Sequence, residues 1–173
     1  MGRVTLITGG ARSGKSSHAL KLAADHPGAR CGFIATAEAR DDEMRSRISR
    51  HRALRPPDIE TVEEPRELER ALNMLDGRAD VVIVDCLTLW VANLMEAGAN
   101  DEAVLRAAKE LLAALSRAPF DTMVVTDEVG AGIVPDNPAA RRFRDLLGWT
   151  NQRVAAAADE VVVMVAGIAM KLK

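Results

Sequence analysis

Gly9-Gly10-Ala11-Arg12-Ser13-Gly14-Lys15-Ser16 is the stretch that decides how this chain is read. It fits G-x-x-x-x-G-K-[ST], a phosphate-binding loop. Arg3-Val4-Thr5-Leu6-Ile7-Thr8 before it reads as a strand, and Ser17-His18-Ala19-Leu20-Lys21-Leu22-Ala23 after it reads as a helix. That strand–loop–helix setting is the one such a loop needs. The glycines permit a tight turn that brings backbone N–H groups against phosphate oxygens. The helix N-terminus adds the positive end of its dipole. Lys15 would reach the β- and γ-phosphates, and the Ser16 hydroxyl would ligate Mg²⁺. The alternative is a glycine-rich turn that binds nothing, and the Lys-Ser pair in this setting speaks against it.

Beyond the loop, strands alternate with helices. The first helix should stop at the breaker cluster Asp25-His26-Pro27-Gly28. Cys31–Ala35 reads as a second strand, followed by a charged helix from about Asp41 to Leu54 that Arg55-Pro56-Pro57 ends. Its acids Asp41, Asp42 and Glu43 precede Arg45, Arg47, Arg50 and Arg52, an order that suits the helix dipole. Asp41/Arg45 and Glu43/Arg47 fall at i,i+4 spacing, and Met44, Ile48 and His51 share one face. Ile59–Val62 is a short strand, and Pro65 is expected to open a helix at its first position, with Leu68, Leu72 and Leu75 buried.

Val81-Val82-Ile83-Val84-Asp85 is a continuous apolar run ending in a carboxylate, the pattern of a buried parallel strand. Two helices follow, one from Leu87 to Gly98 and one from about Glu102 to Ser116. Asp121–Thr126 is a further strand, and Asp127–Pro135 a loop. Asn137-Pro138 reads as cap and first residue of a helix, or broken pair of helices, with Gly148 as its weak point. Glu160–Ala166 is the last strand, and Gly167–Lys173 a short tail. The expected fold is a three-layer α/β sandwich with a mostly parallel sheet, of the phosphate-loop nucleoside triphosphate hydrolase kind, forming one domain over residues 1–173. The phosphate loop, Thr36, Asp85 and Asp127/Glu128 each follow a strand, so all should crowd the carboxyl edge of the sheet.

Composition narrows the partners. The 173 residues are 48% hydrophobic and 28% charged with net charge −2, so no broad basic field points to nucleic acid. Aromatics are 3% with no Tyr, which disfavours base-stacking platforms. Cys31 and Cys86 form no C-x-x-C and read as buried thiols. No apolar run approaches ~18 residues, and the chain enters a strand at once, so neither a membrane span nor a signal peptide is expected. A cytoplasmic location follows as the default expectation.

Asp85 stands where a Mg²⁺-organising carboxylate would pair with Ser16; its alternative role is a helix cap. Asp127 and Glu128 could accept a substrate hydroxyl proton or orient a nucleophile, or serve only as loop carboxylates. His18 and His26 read as packing and solvated residues. His51 lies among Arg47, Arg50, Arg52 and Arg55, which could hold phosphates and stabilise a leaving pyrophosphate. By spacing alone His51 reads either as a nucleophile or, more simply, as a histidine on a solvated charged helix.

The string G-G-A-R-S-G-K-S at Gly9–Ser16 is more particular than the general loop. Ile34-Ala35-Thr36, Asp41-Asp42-Glu43-Met44 with Arg47-Ile48 and His51, Thr61-Val62-Glu63, and Asp127-Glu128-Val129-Gly130 with Gly132-Ile133-Val134-Pro135 follow in order. Ala140-Arg141, Phe143-Arg144-Asp145, Asn151-Gln152 and Ala157-Ala158-Asp159-Glu160-Val161 complete the set. Over essentially its whole length the chain resembles the bifunctional adenosylcobinamide kinase / adenosylcobinamide-phosphate guanylyltransferases of cobalamin synthesis.

The resemblance implies phosphorylation of the aminopropanol hydroxyl of adenosylcobinamide by ATP or GTP. It then implies transfer of GMP from GTP onto that phosphate through a guanylylated histidine. Some members carry two adjacent histidines in the basic helix; here the neighbour is Arg50, so His51 is the implied nucleophile. The implied nucleotide contacts are Gly9, Gly10, Ala11, Arg12, Ser13, Gly14, Lys15, Ser16, Ala35, Thr36, Ala37, Arg52, Ala53, Leu54, Arg55, Glu63 and Asp85. Some members have Glu in place of Asp85, which keeps a carboxylate. A homotrimer with its nucleotide site near subunit boundaries is also implied. About ten residues, or ~15 Å of helix, separate Asp41 from His51, so closure or a neighbouring subunit is expected to bring the ring to the loop.

Two rivals stand beside this reading. A monofunctional small-molecule kinase would leave His51 a surface residue. A nucleotide-binding switch should carry a guanine-specifying motif such as N-K-x-D, which the chain lacks.

Overall fold

The computed structural model describes residues 1–26, 28–53 and 55–173, with only the backbone of Arg47. Pro27 in the first breaker cluster, the Leu54 contact and the Glu43/Arg47 pair therefore lie outside what is described. The chain runs β1 (Val4–Gly9), α1 (Lys15–Ala24), β2 (Cys31–Ala35), α2 (Asp42–Ala53), β3 (Glu60–Glu63), α3 (Leu68–Met74) and β4 (Val81–Asp85). It continues with α4 (Leu87–Glu96), α5 (Asp101–Arg117), β5 (Asp121–Val125), α6 (Pro138–Ala157), β6 (Glu160–Val165) and β7 (Ile168–Lys171).

The strands form one sheet in the order β3-β2-β4-β5-β1-β6-β7. Every pairing is parallel except β6 with β7. The expected α/β architecture is therefore observed. β1 lies inside the sheet, and β5 separates it from β4. Asp85 and Ile7 both sit in register with Val125, so the loop after β1 and the carboxylate ending β4 emerge at one edge.

Alternation along the buried strands sends side chains to two cores. Leu6, Ile34, Val82, Val84 and Val124 point toward α3, α4, α5 and α6. Ile7, Phe33, Ile83, Met123 and Val125 point toward α1, which covers the other face with Ala19 and Ala23. Trp90 is the largest side chain in the first core, and its indole N–H donates to the Arg66 carbonyl at 2.7 Å. Burying the ring without that partner would leave a polar group unsatisfied.

Three local expectations are corrected, and one alternative left open, at Gly148, is decided. Pro65 does not open α3: the Glu64 carboxylate accepts from the N–H groups of Arg66 and Glu67, making a turn that delays the helix to Leu68. Gly148 does not break α6, which is continuous and is held on both sides of the glycine by buried Leu146, Leu147 and Thr150. The ~1 kcal/mol that a helical glycine costs is small beside that burial. Arg45 pairs with Asp42 rather than Asp41, because the Asp41 carboxylate caps the N–H of Met44.

Finally, the tail is mostly strand. Ala166 and Gly167 both have positive φ, 51° and 83°, and form a two-residue turn with Val165 opposite Ile168. That backbone suits the right-handed twist of a hairpin. Asn137 and Pro138, by contrast, cap and open α6 as the sequence indicated.

Gly9 has φ 140°, and a Cβ there would collide with the Met164 carbonyl oxygen of β6. Gly10 has open space around the same position. Gly9→Ala should lower stability by about 1–3 kcal/mol from backbone strain alone, while Gly10→Ala should leave the urea midpoint nearly unchanged. Equal midpoints for the two variants would contradict this account of the turn.

Candidate active site

The loop is shaped to leave its donors free. Gly14 caps α1 in the left-handed region, with no side chain bonded to the cap and no acid in the first turn. The first N–H groups of α1 are thus open to an anion. The N–H of Gly167, in the β6–β7 turn, donates to the Ser13 carbonyl at 3.0 Å and holds the loop from behind. Lys15 is only 7% exposed. Its ammonium donates to the Gly10 carbonyl at 2.6 Å and pairs with the Asp127 carboxylate at 2.7 Å.

Asp85 meets this loop from β4. Its carboxylate lines the same cavity as Ser16, whose hydroxyl favours the ionised form. It is not the cap of α4, since the cap position is Cys86. Burial pushes the Asp85 carboxyl above its ordinary range, with Ser16, His51 and Arg55 opposing. Ser16 and Asp85 thus offer two adjacent hard oxygens beside the phosphate loop. Among the described residues no group of three His, Cys, Asp or Glu could hold a metal. That donor set fits Mg²⁺, which takes one or two protein oxygens and completes its shell with water and phosphate.

A cavity of about 430 Å³ opens above the loop. One wall is Arg12, Ser13, Gly14, Lys15 and Ser16, another is Ala35, Ala37, Asp85 and Val125, and Met44, Ile48 and His51 of α2 form the cover. Arg52, Arg55 and Glu63 close one side, with Arg52 ion-paired to Glu63. The cations Arg12, Lys15, Arg50, Arg52 and Arg55 outnumber the acids Glu63, Asp85 and Asp127, a balance suited to a polyphosphate.

The Arg55 guanidinium stacks 3.7 Å over the Phe33 ring. Its Nε and Nη1 are buried without a partner among the described residues. Burial lowers its pKa, against the pull of Asp85. Buried guanidinium donors without acceptors are costly, and an anionic ligand would satisfy them.

Most of the residues singled out in the sequence meet in this cavity. Gly9, Gly10 and Ala11 shape the turn without lining it, Ala53 lies outside the wall, and Leu54 is not among the described residues. Thr36 lies between Ala35 and Ala37, which line this cavity. It is fully buried and does not line the cavity; its hydroxyl donates to the Cys86 carbonyl and accepts from the Cys86 N–H, both at 2.8 Å. Its own carbonyl accepts from Asn93 of α4 at 2.7 Å. The Thr36 side chain therefore fixes the end of β4.

The expected distance of His51 from the loop is also corrected. α2 runs across the edge of the sheet, so His51 faces the same cavity as Lys15 within one chain. Asp127 and Arg50 line the cavity too, although only their position after β5 and on the basic helix had flagged them. Cys86 lines it as a thiol that burial pushes up to about 12, which removes it as a nucleophile. Cys31 is partly exposed rather than buried.

The shift at Asp85 makes a prediction about stability. An acid whose folded pKa lies above its unfolded value favours folding when neutral, so its ionisation removes stability as pH rises from about 4 through the folded value. Asp85→Asn deletes that titration. The difference in unfolding free energy should move in favour of the variant between about pH 4 and neutrality. A difference independent of pH would mean that burial does not perturb this carboxyl.

Residues 5–172 match the family described as cobinamide kinase / cobinamide phosphate guanyltransferase (CobU). The bifunctional adenosylcobalamin biosynthesis protein CobU of Salmonella typhimurium LT2 is 44% identical, over 97% of this chain and 98% of its own. The bifunctional adenosylcobalamin biosynthesis protein CobP of Pseudomonas aeruginosa PAO1 is 43% identical, over 97% and 96%. Among solved structures, a KaiC-like protein of Pyrococcus horikoshii OT3 aligns with a TM-score of 0.47 and 18% identity, over 93% of this chain and 70% of that one. On the family match and the full-length identity, the chain belongs to the cobinamide kinase / cobinamide phosphate guanyltransferase family.

Proposed function

We propose that this one cavity carries both reactions of the family, on nucleotide held by Gly9–Ser16. The observation that carries the proposal is that Lys15 and His51 line the same space. In the kinase reaction, ATP or GTP gives its γ-phosphoryl group to the aminopropanol hydroxyl of adenosylcobinamide. The open N–H groups of α1 and the Lys15 ammonium neutralise the charge shared by the β- and γ-phosphates. Ser16 and Asp85 would hold Mg²⁺, which supplies further neutralisation of the triphosphate when bound.

In the second reaction a ring nitrogen of His51 attacks the α-phosphorus of GTP. A P–N bond forms as the bond to the β-phosphate oxygen breaks, and pyrophosphate leaves with that electron pair. A phosphate oxygen of adenosylcobinamide phosphate then attacks the same phosphorus and frees the histidine, giving adenosylcobinamide-GDP. Splitting the transfer in this way replaces one difficult displacement by two easier ones. Arg12, Arg52 and Arg55 are the cations we assign to the nucleotide, with Ala35, Ala37 and Glu63 as neighbouring contacts.

We assign the protein to the cytoplasm and to a homotrimer. For self-association the supporting feature is β7, an edge strand carrying exposed Ile168 and Met170, beside exposed Val165 and Leu172. No helix among the described residues is long and apolar enough to cross a membrane. Light scattering after size exclusion would contradict the trimer if the mass were that of one chain.

Lys15→Ala should cut both reactions by about a hundredfold or more, since it removes the cation at the phosphates. His51→Ala should keep phosphorylation of adenosylcobinamide within about threefold and form no GMP–protein adduct, because only the second reaction needs a nucleophile. Radiolabel from γ- and α-labelled GTP measures the two separately. An adduct of normal yield in His51→Ala, or normal kinase turnover in a folded Lys15→Ala, would contradict these roles.

A further inference from the structure

Asp127 is held from three directions. Its N–H donates to the Thr88 hydroxyl of α4 at 2.7 Å. Its carbonyl accepts from the Asn151 amide of α6 at 3.1 Å, and the same amide's oxygen accepts from the buried Thr126 hydroxyl at 2.7 Å. Its carboxylate lines the cavity and pairs with Lys15 at 2.7 Å.

Loop carboxylates are not normally fixed this way. The next acid, Glu128, folds its side chain back onto the N–H of Gly130, two residues on, and does not line the cavity. Two helices on the far face of the sheet thus spend polar side chains on the backbone of one residue. Locking a carboxylate's backbone on both sides costs conformational freedom and makes sense where its position must be accurate.

Resting on the two-reaction reading above, we propose that Asp127 is the general base of the kinase reaction, and that Asn151 and Thr88 are its positioning residues. The geometry supports this over two other uses. The metal position falls to the Ser16–Asp85 pair, one strand away across the sheet. A residue needed only to neutralise Lys15 would not require its own backbone to be fixed by α4 and α6.

The cation that touches the β/γ-phosphates is the one Asp127 contacts, so the carboxylate lies beside the place where the γ-phosphoryl group is transferred. The substrate hydroxyl oxygen bonds to the γ-phosphorus as the bond to the β-phosphate oxygen breaks. The nucleoside diphosphate leaves with that electron pair. The hydroxyl proton passes to the Asp127 carboxylate and then to solvent. Guanylyl transfer has no such proton: its attacking groups are an imidazole nitrogen and an already ionised phosphate. Asp127 should therefore matter far more to the kinase reaction than to guanylyl transfer, which it touches only through Lys15.

The test uses the full-length protein, Asp127→Asn, with Asn151→Ala as a second variant. Three readings are taken from each preparation: phosphorylation of adenosylcobinamide by γ-labelled GTP, GMP adduct from α-labelled GTP, and affinity for a non-hydrolysable GTP analogue. Asp127→Asn should lower kinase kcat by about 10²–10⁴-fold. Removing the carboxylate that pairs with Lys15 should also lower adduct yield and analogue affinity, but each by at least about tenfold less than kinase kcat. Asn151→Ala should lower kinase kcat by a smaller factor with KM and adduct yield little changed.

Kinase turnover of Asp127→Asn near wild type would overturn the assignment while leaving the two-reaction reading in place. Loss of adduct and analogue affinity as large as that of kinase activity would also overturn it, in favour of a nucleotide- or metal-holding role. A wild-type protein that forms no adenosylcobinamide phosphate would overturn the kinase reading and the assignment with it.

Discussion

A buried ammonium sets the plan of this site. Lys15 lies at the foot of the cavity, kept there by the Gly10 carbonyl and the Asp127 carboxylate. A lone cation so enclosed would be strongly disfavoured, and a carboxylate from a neighbouring strand offsets that cost. The pairing requires β1 and β5 to be adjacent and parallel, so that both release their chains at the same edge. It also requires the left-handed turn at Gly14 that aims Lys15 inward from the first position of α1. A triphosphate would offer this ammonium a second anion without asking the loop to be built anew.

Around that ion pair the sheet supplies a rigid floor and α2 a polar cover. Val81, Val82, Ile83 and Val84 are fully buried, and β4 delivers Asp85 at a fixed height. α2 is different in kind. Half of its twelve residues are charged. Its inward face is Met44, Ile48 and His51, and at its end Arg52 is tied to Glu63 of β3. The division matches the chemistry: the γ-phosphoryl transfer needs accurate electrostatics at the floor, and the second transfer needs one nucleophile presented from above.

Much of this was legible in the sequence because its signals are local. The apolar run at β4 gave the strand to the residue, and the spacing of Leu68, Leu72 and Leu75 gave the buried face of α3 and the buried residue that caps it. The face shared by Met44, Ile48 and His51 is the one that covers the cavity. What was not legible depends on contacts distant in sequence. Thr36 follows a strand, as ligand-binding residues do, but only the fold shows its hydroxyl spent on Cys86, fifty residues away. β7 was hidden because its turn is Ala-Gly rather than Asn-Gly, and its identity lies in two positive φ angles. The role of Asn151 in fixing Asp127 had no sequence signal beyond membership in a family-like string. The length of α2 suggested that His51 is carried away from the loop; the direction in which the helix crosses the sheet edge, which spacing cannot reveal, brings it back.

In the proposed reading one cavity joins a phosphate loop to a histidine nucleophile in a single active site. Peptide mapping of the protein after incubation with GTP and Mg²⁺ tests it most directly, using fragmentation that preserves phosphoramidates. The account predicts one modified residue, His51, carrying GMP through an acid-labile, alkali-stable bond. GMP found on a serine, on His18 or on His26, or a bond that survives acid, would contradict it.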